Sequence, residues 1–185
     1  MPDLTPITPL GGTSLRTDTI GAITISEGDD WALASVAART GQGEDTLARA
    51  RKLTGLDLPG PGGLVAGGDW RAWWMSPDAW MLATPISMSE DIVAAVKPAL
   101  GVAASVTEQT DAWARFDITA PVGFLERLCN VDPARAAPGS ATRTVMEHMG
   151  VVLLRHEEGA FSVLGARSSA GSLHHALLTA ARAVA

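Results

Sequence analysis

Apolar and polar positions in this chain switch period repeatedly, and each switch predicts an element. Ile20 to Ser26 alternates weakly and predicts a strand. Asp30 sits where it can cap a helix over Trp31 to Arg39, stopped by Gly41. A second helix is predicted over Glu44 to Leu53, with Glu44 and Asp45 early and Arg49, Arg51 and Lys52 late, as the helix dipole favours, and Gly55 ends it. Trp70 to Met75 and Trp80 to Thr84 read as strands about the turn Ser76-Pro77-Asp78. Ser87 with Glu90 forms a capping box for a helix carrying Ile92, Val93 and Val96 that closes near Lys97-Pro98.

Further on, Val102 to Thr107 reads as a strand. Ala112 to Ile118 alternates, with Ala112, Ala114, Phe116 and Ile118 on one face and Trp113, Arg115 and Asp117 on the other. Thr119 and Pro121 open a helix whose inner side carries Phe124, Leu125 and Leu128. Asn130 to Ser140 is a loop, and Val151 to Arg155 with Ala160 to Ala166 forms a hairpin around Glu157-Glu158-Gly159. Leu173, Leu177, Ala180 and Val184 share one stripe of a final helix. The sum is an α+β fold, mostly antiparallel strands backed by helices.

Residues 1–19, with Pro2, Pro6, Pro9 and Gly11-Gly12, read as an extended arm that is either mobile or laid along another surface. The strongest loop signal, Leu58-Pro59-Gly60-Pro61-Gly62-Gly63, is the expected boundary between two small lobes. It divides an arm and helical lobe (1–60) from an α+β domain (64–185).

Composition narrows the function classes. At 185 residues, 46% hydrophobic and 18% charged, the chain is globular rather than disordered. Its formal charge of −6, without a basic run, argues against a nucleic-acid surface. Neither a signal peptide nor a run of 18 apolar residues is present, so a soluble cytoplasmic protein with no membrane partner is expected. Cys129 is the only cysteine, which excludes an intrachain disulfide and reads as a small buried hydrophobe.

Catalytic chemistry is hard to find. Gly62 to Gly68 lacks the Lys-Ser/Thr of a phosphate loop, with Gly68-Asp69 in those places. His174 and His175 are adjacent on a helix and point about 100° apart. His148 and His156 lack an HExxH spacing, and all four histidines read as surface or capping residues. Ser168, Ser169 and Ser172 lack a nucleophile elbow and read as helix-start residues. No catalytic, cofactor-binding or metal-ligating residue is therefore assigned.

What stands out is aromatic. Trp70, Trp73, Trp74 and Trp80 crowd into eleven residues. At roughly 200 Å² each they carry about 800 Å², more than the roughly 300–600 Å² that a monomer usually leaves as its largest exposed patch. Trp70, Ala72 and Trp74 face one way along a strand, and Arg71, Trp73 and Met75 the other. The four rings are candidates for core or for a partner interface.

At these residues the chain resembles the gamma subunit of heterotetrameric sarcosine oxidase. The resemblance begins with Trp73-Trp74-Met75-Ser76-Pro77-Asp78-Ala79-Trp80-Met81-Leu82. It runs on through Val106 to Phe116, Ile118-Thr119-Ala120-Pro121, Leu128-Cys129, Val131-Asp132, and Phe161 to Ser168. It implies a folate-binding, aminomethyltransferase-like fold and a noncatalytic subunit with alpha, beta and delta partners. The complex so implied demethylates sarcosine oxidatively to glycine, with formaldehyde or methylene-tetrahydrofolate and hydrogen peroxide. FAD, FMN, NAD and tetrahydrofolate would belong to other chains, and zinc to the delta chain. Folate-using relatives carry an acid pair shortly after a glycine pair. Here Gly62-Gly63 is followed by Leu64-Val65-Ala66, and Gly68-Asp69 supplies one acid. A freestanding folate-binding protein and the matching subunit of an N-methylglutamate dehydrogenase-type complex are the alternatives.

Overall fold

The computed structural model describes residues 5–132 and 136–184. Eleven strands and three α-helices are found among them, in two sheets, and every registered strand pair is antiparallel. The expected α+β architecture is what the chain adopts.

The contacts divide the chain into two compact units. One holds Asp30–Thr110 with Gly139–Ala141, and the other holds the remainder. The division expected at residues 60–64 falls inside the former unit. The Pro/Gly run there is an ordered turn rather than a linker: the Pro59 carbonyl accepts the Trp80 indole N–H at 2.8 Å, and the Gly60 carbonyl accepts from Gly63 N.

The strands of the remainder unit are β1 (Thr17–Ile20), β2 (Ile23–Gly28), β8 (Trp113–Thr119), β9 (Ser140–Met146, whose first two residues count with the other unit), β10 (Met149–Glu157) and β11 (Ala160–Ala166). They run in the order β1-β2-β8-β11-β10-β9. Helix α3 (Ala170–Val184) covers one face, where Leu173 and Leu177 meet Ile25, Phe116, Leu153 and Phe161 in one core. Val184, expected on the buried stripe, is exposed, because the helix ends there. The segment predicted as a helix around Phe124 is a 3-10 turn, Val122–Arg127. It nonetheless buries Phe124 and Leu125, with the Phe124 ring 6.2 Å from Phe161. The described part of the N-terminal arm is laid down rather than loose. Leu10 N and Arg16 N donate to the two carboxylate oxygens of Glu27, which is buried.

The Asp30–Thr110 unit contains β3 (Trp31–Ala38), α1 (Gly43–Thr54), β4 (Leu64–Gly67), β5 (Trp70–Ser76), β6 (Ala79–Pro85), α2 (Ile92–Leu100) and β7 (Ala104–Glu108). Its sheet runs β4-β5-β6-β3-β7. The helix expected over Trp31 to Arg39 is therefore a central strand. Its Ala-rich sequence favours helix weakly, but pairing along both edges, with β6 and β7, outweighs that preference. The capping box expected at Ser87 and Glu90 is not used. Asp91 caps α2 instead, accepting from Ala94 N at 2.9 Å, and the helix runs past Lys97-Pro98 to Leu100. Ala50 of α1 and Ile92, Val96 and Leu100 of α2 pack against Ala34, Val36, Ala72 and Leu82.

Candidate functional site

Two constellations gather the chain's most distinctive polar and aromatic side chains. They lie in different units, and each is built by strand register.

The aromatic one lies on β5 and β6. Register places Trp73 opposite Leu64 and Met81, and Trp74 opposite Trp80. As alternation predicts, Trp70 packs with Ala72 on the helix-covered face, while Trp73 points to the other. The structure separates the four candidate rings. Trp73 is fully buried and Trp80 nearly so, which makes them core of this chain, whereas Trp70 and Trp74 are only partly buried. A ring already enclosed by its own chain has little surface left to offer, whereas Trp70 and Trp74 keep some. Trp31 extends the aromatic face: its ring lies 6.2 Å from Trp73 and takes the Arg71 guanidinium at 4.9 Å from its centroid, a cation–π contact. The sequence carries no sign of this role for Trp31, because Trp31 to Arg39 reads as a helix and the structure makes it a strand. The Trp73 Nε1 is buried and meets no acceptor among the described residues.

The polar constellation lies on β8, β11 and β10. Antiparallel register puts Ser162 opposite Asp117, and their side chains share a face. Asp117 Oδ1 accepts the Ser162 hydroxyl at 2.5 Å, while Asp117 Oδ2 is held by Arg115 Nε at 3.1 Å and Nη2 at 2.9 Å. His156 Nε2 reaches the same hydroxyl oxygen at 2.8 Å. With the hydroxyl proton directed to Asp117, Nε2 is the donor of that last bond. Serine here sits between acid and imidazole, whereas a nucleophilic triad needs imidazole between serine and acid. Ser162 is also 1% exposed. The cluster is a saturated network and not an activated nucleophile.

The remaining candidates resolve as follows. His174, expected at the surface, is buried in α3: its Nε2 lies 2.9 Å from Asp18 Oδ2 and its ring stacks on Phe116. The hydrogen bond and charge of Arg16, helped by His174, hold the Asp18 carboxyl below its ordinary range against the opposing effect of burial. His148, with Glu147, forms the β9–β10 turn, where both residues are in the left-handed region. Cys129 is partly buried against the core, and burial pushes its thiol up, away from thiolate chemistry. A groove of about 540 Å³ runs beside α3, with Arg127, Glu147 and His175 among its lining. Among the described residues no three His, Cys, Asp or Glu side chains gather as a metal site, and no helix is long and apolar enough to cross a membrane.

This arrangement of two antiparallel sheets backed by helices is similar to the fold of aminomethyltransferase-type proteins. The glycine cleavage system aminomethyltransferase T from Bartonella henselae is similar at TM-score 0.58 and 13% identity, over 84% of this chain and 48% of that one, so this chain spans about half its length. A chain of the heterotetrameric sarcosine oxidase from Corynebacterium sp. U-96, solved in complex with pyrrole 2-carboxylate, is similar at TM-score 0.75 and 22% identity, over 89% of this chain and 86% of that one. No family model matches the sequence, and no curated protein matches it either. The fold expected from the sequence resemblance is the fold found.

Proposed function

We propose that this chain is a noncatalytic, gamma-type subunit of a cytoplasmic sarcosine oxidase-type complex, stabilising an assembly whose chemistry lies in alpha, beta and delta partners. One observation carries the reading: the fold likeness to a chain of a heterotetrameric sarcosine oxidase runs nearly end to end in both chains. The saturated Arg115–Asp117–Ser162–His156 network supports a structural rather than a catalytic chain. In this reading FAD, FMN, NAD and tetrahydrofolate are held by the partners during oxidative demethylation of sarcosine to glycine. Trp70 and Trp74 are proposed as partner-facing rings.

The test is purification of the tagged chain from its own cells. A yellow flavoprotein should co-elute, and the eluate should form hydrogen peroxide with sarcosine. A colourless free 19.2 kDa chain would overturn the proposal. If N-methylglutamate alone supports turnover, the chain belongs to the related dehydrogenase-type complex.

The likeness to the aminomethyltransferase favours a second reading, a freestanding folate-binding protein. Titrating the isolated chain with tetrahydrofolate separates the two. Saturable quenching of tryptophan fluorescence supports the second reading, and an unchanged spectrum supports the first.

A further inference from the structure

Among the described residues of the β1-β2-β8-β11-β10-β9 unit, buried charges are matched with one exception. Glu27 accepts two backbone N–H groups, and Arg115 turns one edge of its guanidinium onto Asp117. Arg155 is as buried as either, at 2% exposure, yet its Nε and Nη1 are both enclosed and meet no acceptor among the described residues. Among the described residues, only Nη2 has a counter-charge. Glu158 Oε2 stands 3.5 Å away, on a carboxylate that is 77% exposed. That exceeds the roughly 2.7–2.9 Å of a charge-assisted hydrogen bond, and an exposed, mobile partner of this kind neutralises little.

Position sharpens the anomaly. Arg155 lies opposite Phe161 on the core face of its strand, and the register of β10 slips between Arg155 and Glu157. Such a bulge re-aims side chains, and here it separates the arginine from the acid two residues on. Arginine cannot escape a buried site by losing its proton. An enclosed, unmatched guanidinium is costly, so the fold has a strong preference for an anion there.

We propose that Arg155 anchors a carboxylate-binding site, taking a carboxylate supplied from outside this chain. Nη2, the nitrogen that already faces the exposed Glu158, receives the incoming carboxylate, which displaces Glu158 into solvent. A monoanion matches the single charge, whereas a phosphate dianion would leave a buried excess. The two sources are a free small carboxylate and an Asp or Glu side chain of a neighbouring chain. The existence of the site does not rest on the assembly proposed above, and only the assignment of its source draws on it.

The full chain, Arg155→Met and Glu158→Gln are melted in sodium acetate and in sodium chloride of equal ionic strength. The wild-type midpoint should rise saturably with acetate only, while Arg155→Met should not respond. In plain buffer Arg155→Met should melt at or above the wild-type temperature; a large fall would mean the guanidinium is already matched and would overturn the site. Glu158→Gln should saturate at an acetate concentration lower by up to about fivefold, the effect of releasing an exposed ion pair. Failure of Arg155→Met to fold is the extreme of that large fall and counts the same way, and an unaltered acetate curve in Glu158→Gln also counts against the site. No acetate response in wild type, or equal responses in wild type and Arg155→Met, overturns the proposal. With the acetate response established, loss of partner co-elution by Arg155→Met assigns the carboxylate to a neighbouring chain, and retained co-elution assigns it to a free carboxylate.

Discussion

Adjacent tryptophans on one strand are expected to behave differently when truncated. Trp73 is fully enclosed, so Trp73→Ala should destabilise the isolated chain by about 3–5 kcal/mol in urea unfolding. Trp74→Ala, on the other face and partly buried, should cost less in the isolated chain and act mainly on partner co-elution. Equal losses for both would erase the distinction between core and interface rings. At Cys129, the raised thiol leaves little thiolate near pH 8, so alkylation by iodoacetamide should be slower than that of an unfolded control. Asp18 gives a pH dependence. Its folded carboxyl titrates below its ordinary range, chiefly through Arg16, so the stability it contributes is fully present above about pH 5 and is lost as pH falls through the lowered value. Asp18→Asn should flatten that acid limb in pH-dependent melts. The facing of the rings was legible in the Trp-Arg-Ala-Trp-Trp alternation, because a strand has period two. The Asp18–His174 pair was not, since 156 positions of chain separate its members.

Elements were legible where local chemistry and tertiary context agree. Helix α1 has acids first, bases last and Gly55 in the left-handed region after it, and the structure adds nothing to that description. Strand β3 shows the opposite case, for its helix-favouring alanines take their conformation from β6 and β7. Strand β9 leaves no period-two signal in the sequence because it lies at a sheet edge with a largely polar, half-exposed sequence. The turn before β4 tests how tightly the Pro/Gly run is packed. A Cβ on Gly63 would stand 2.7 Å from Pro59 Cβ and 3.1 Å from Gly60 O, neither of which can swing aside. Gly63→Ala should therefore lower stability by about 1–3 kcal/mol, measured by urea unfolding. An unchanged midpoint would show the run to be a loose connection after all.

At the scale of the whole molecule, the chain enters the Asp30–Thr110 unit once and then revisits it with Gly139–Ala141. That return is hydrogen-bonded: Ala141 N donates to Gly62 O, and Gly139 O accepts from Leu64 N, each at 2.8 Å. No sequence signal announces the return, because three residues carry no pattern and the pairing joins positions far apart. A fragment of residues 30–110 should thus unfold at lower urea than the same fragment with residues 139–141 appended through a glycine linker. Identical midpoints would make the return dispensable.

The distribution of indoles has an optical consequence. The chain has no tyrosine, and five of its six tryptophans (Trp31, Trp70, Trp73, Trp74 and Trp80) belong to the Asp30–Thr110 unit, leaving Trp113 as the lone chromophore of its kind elsewhere. Near-ultraviolet emission is accordingly a reporter weighted to one half of the protein, whereas far-ultraviolet dichroism reads both. Divergent melting curves from the two probes would reveal sequential loss of the halves, and a single Trp113→Phe replacement makes the emission wholly selective.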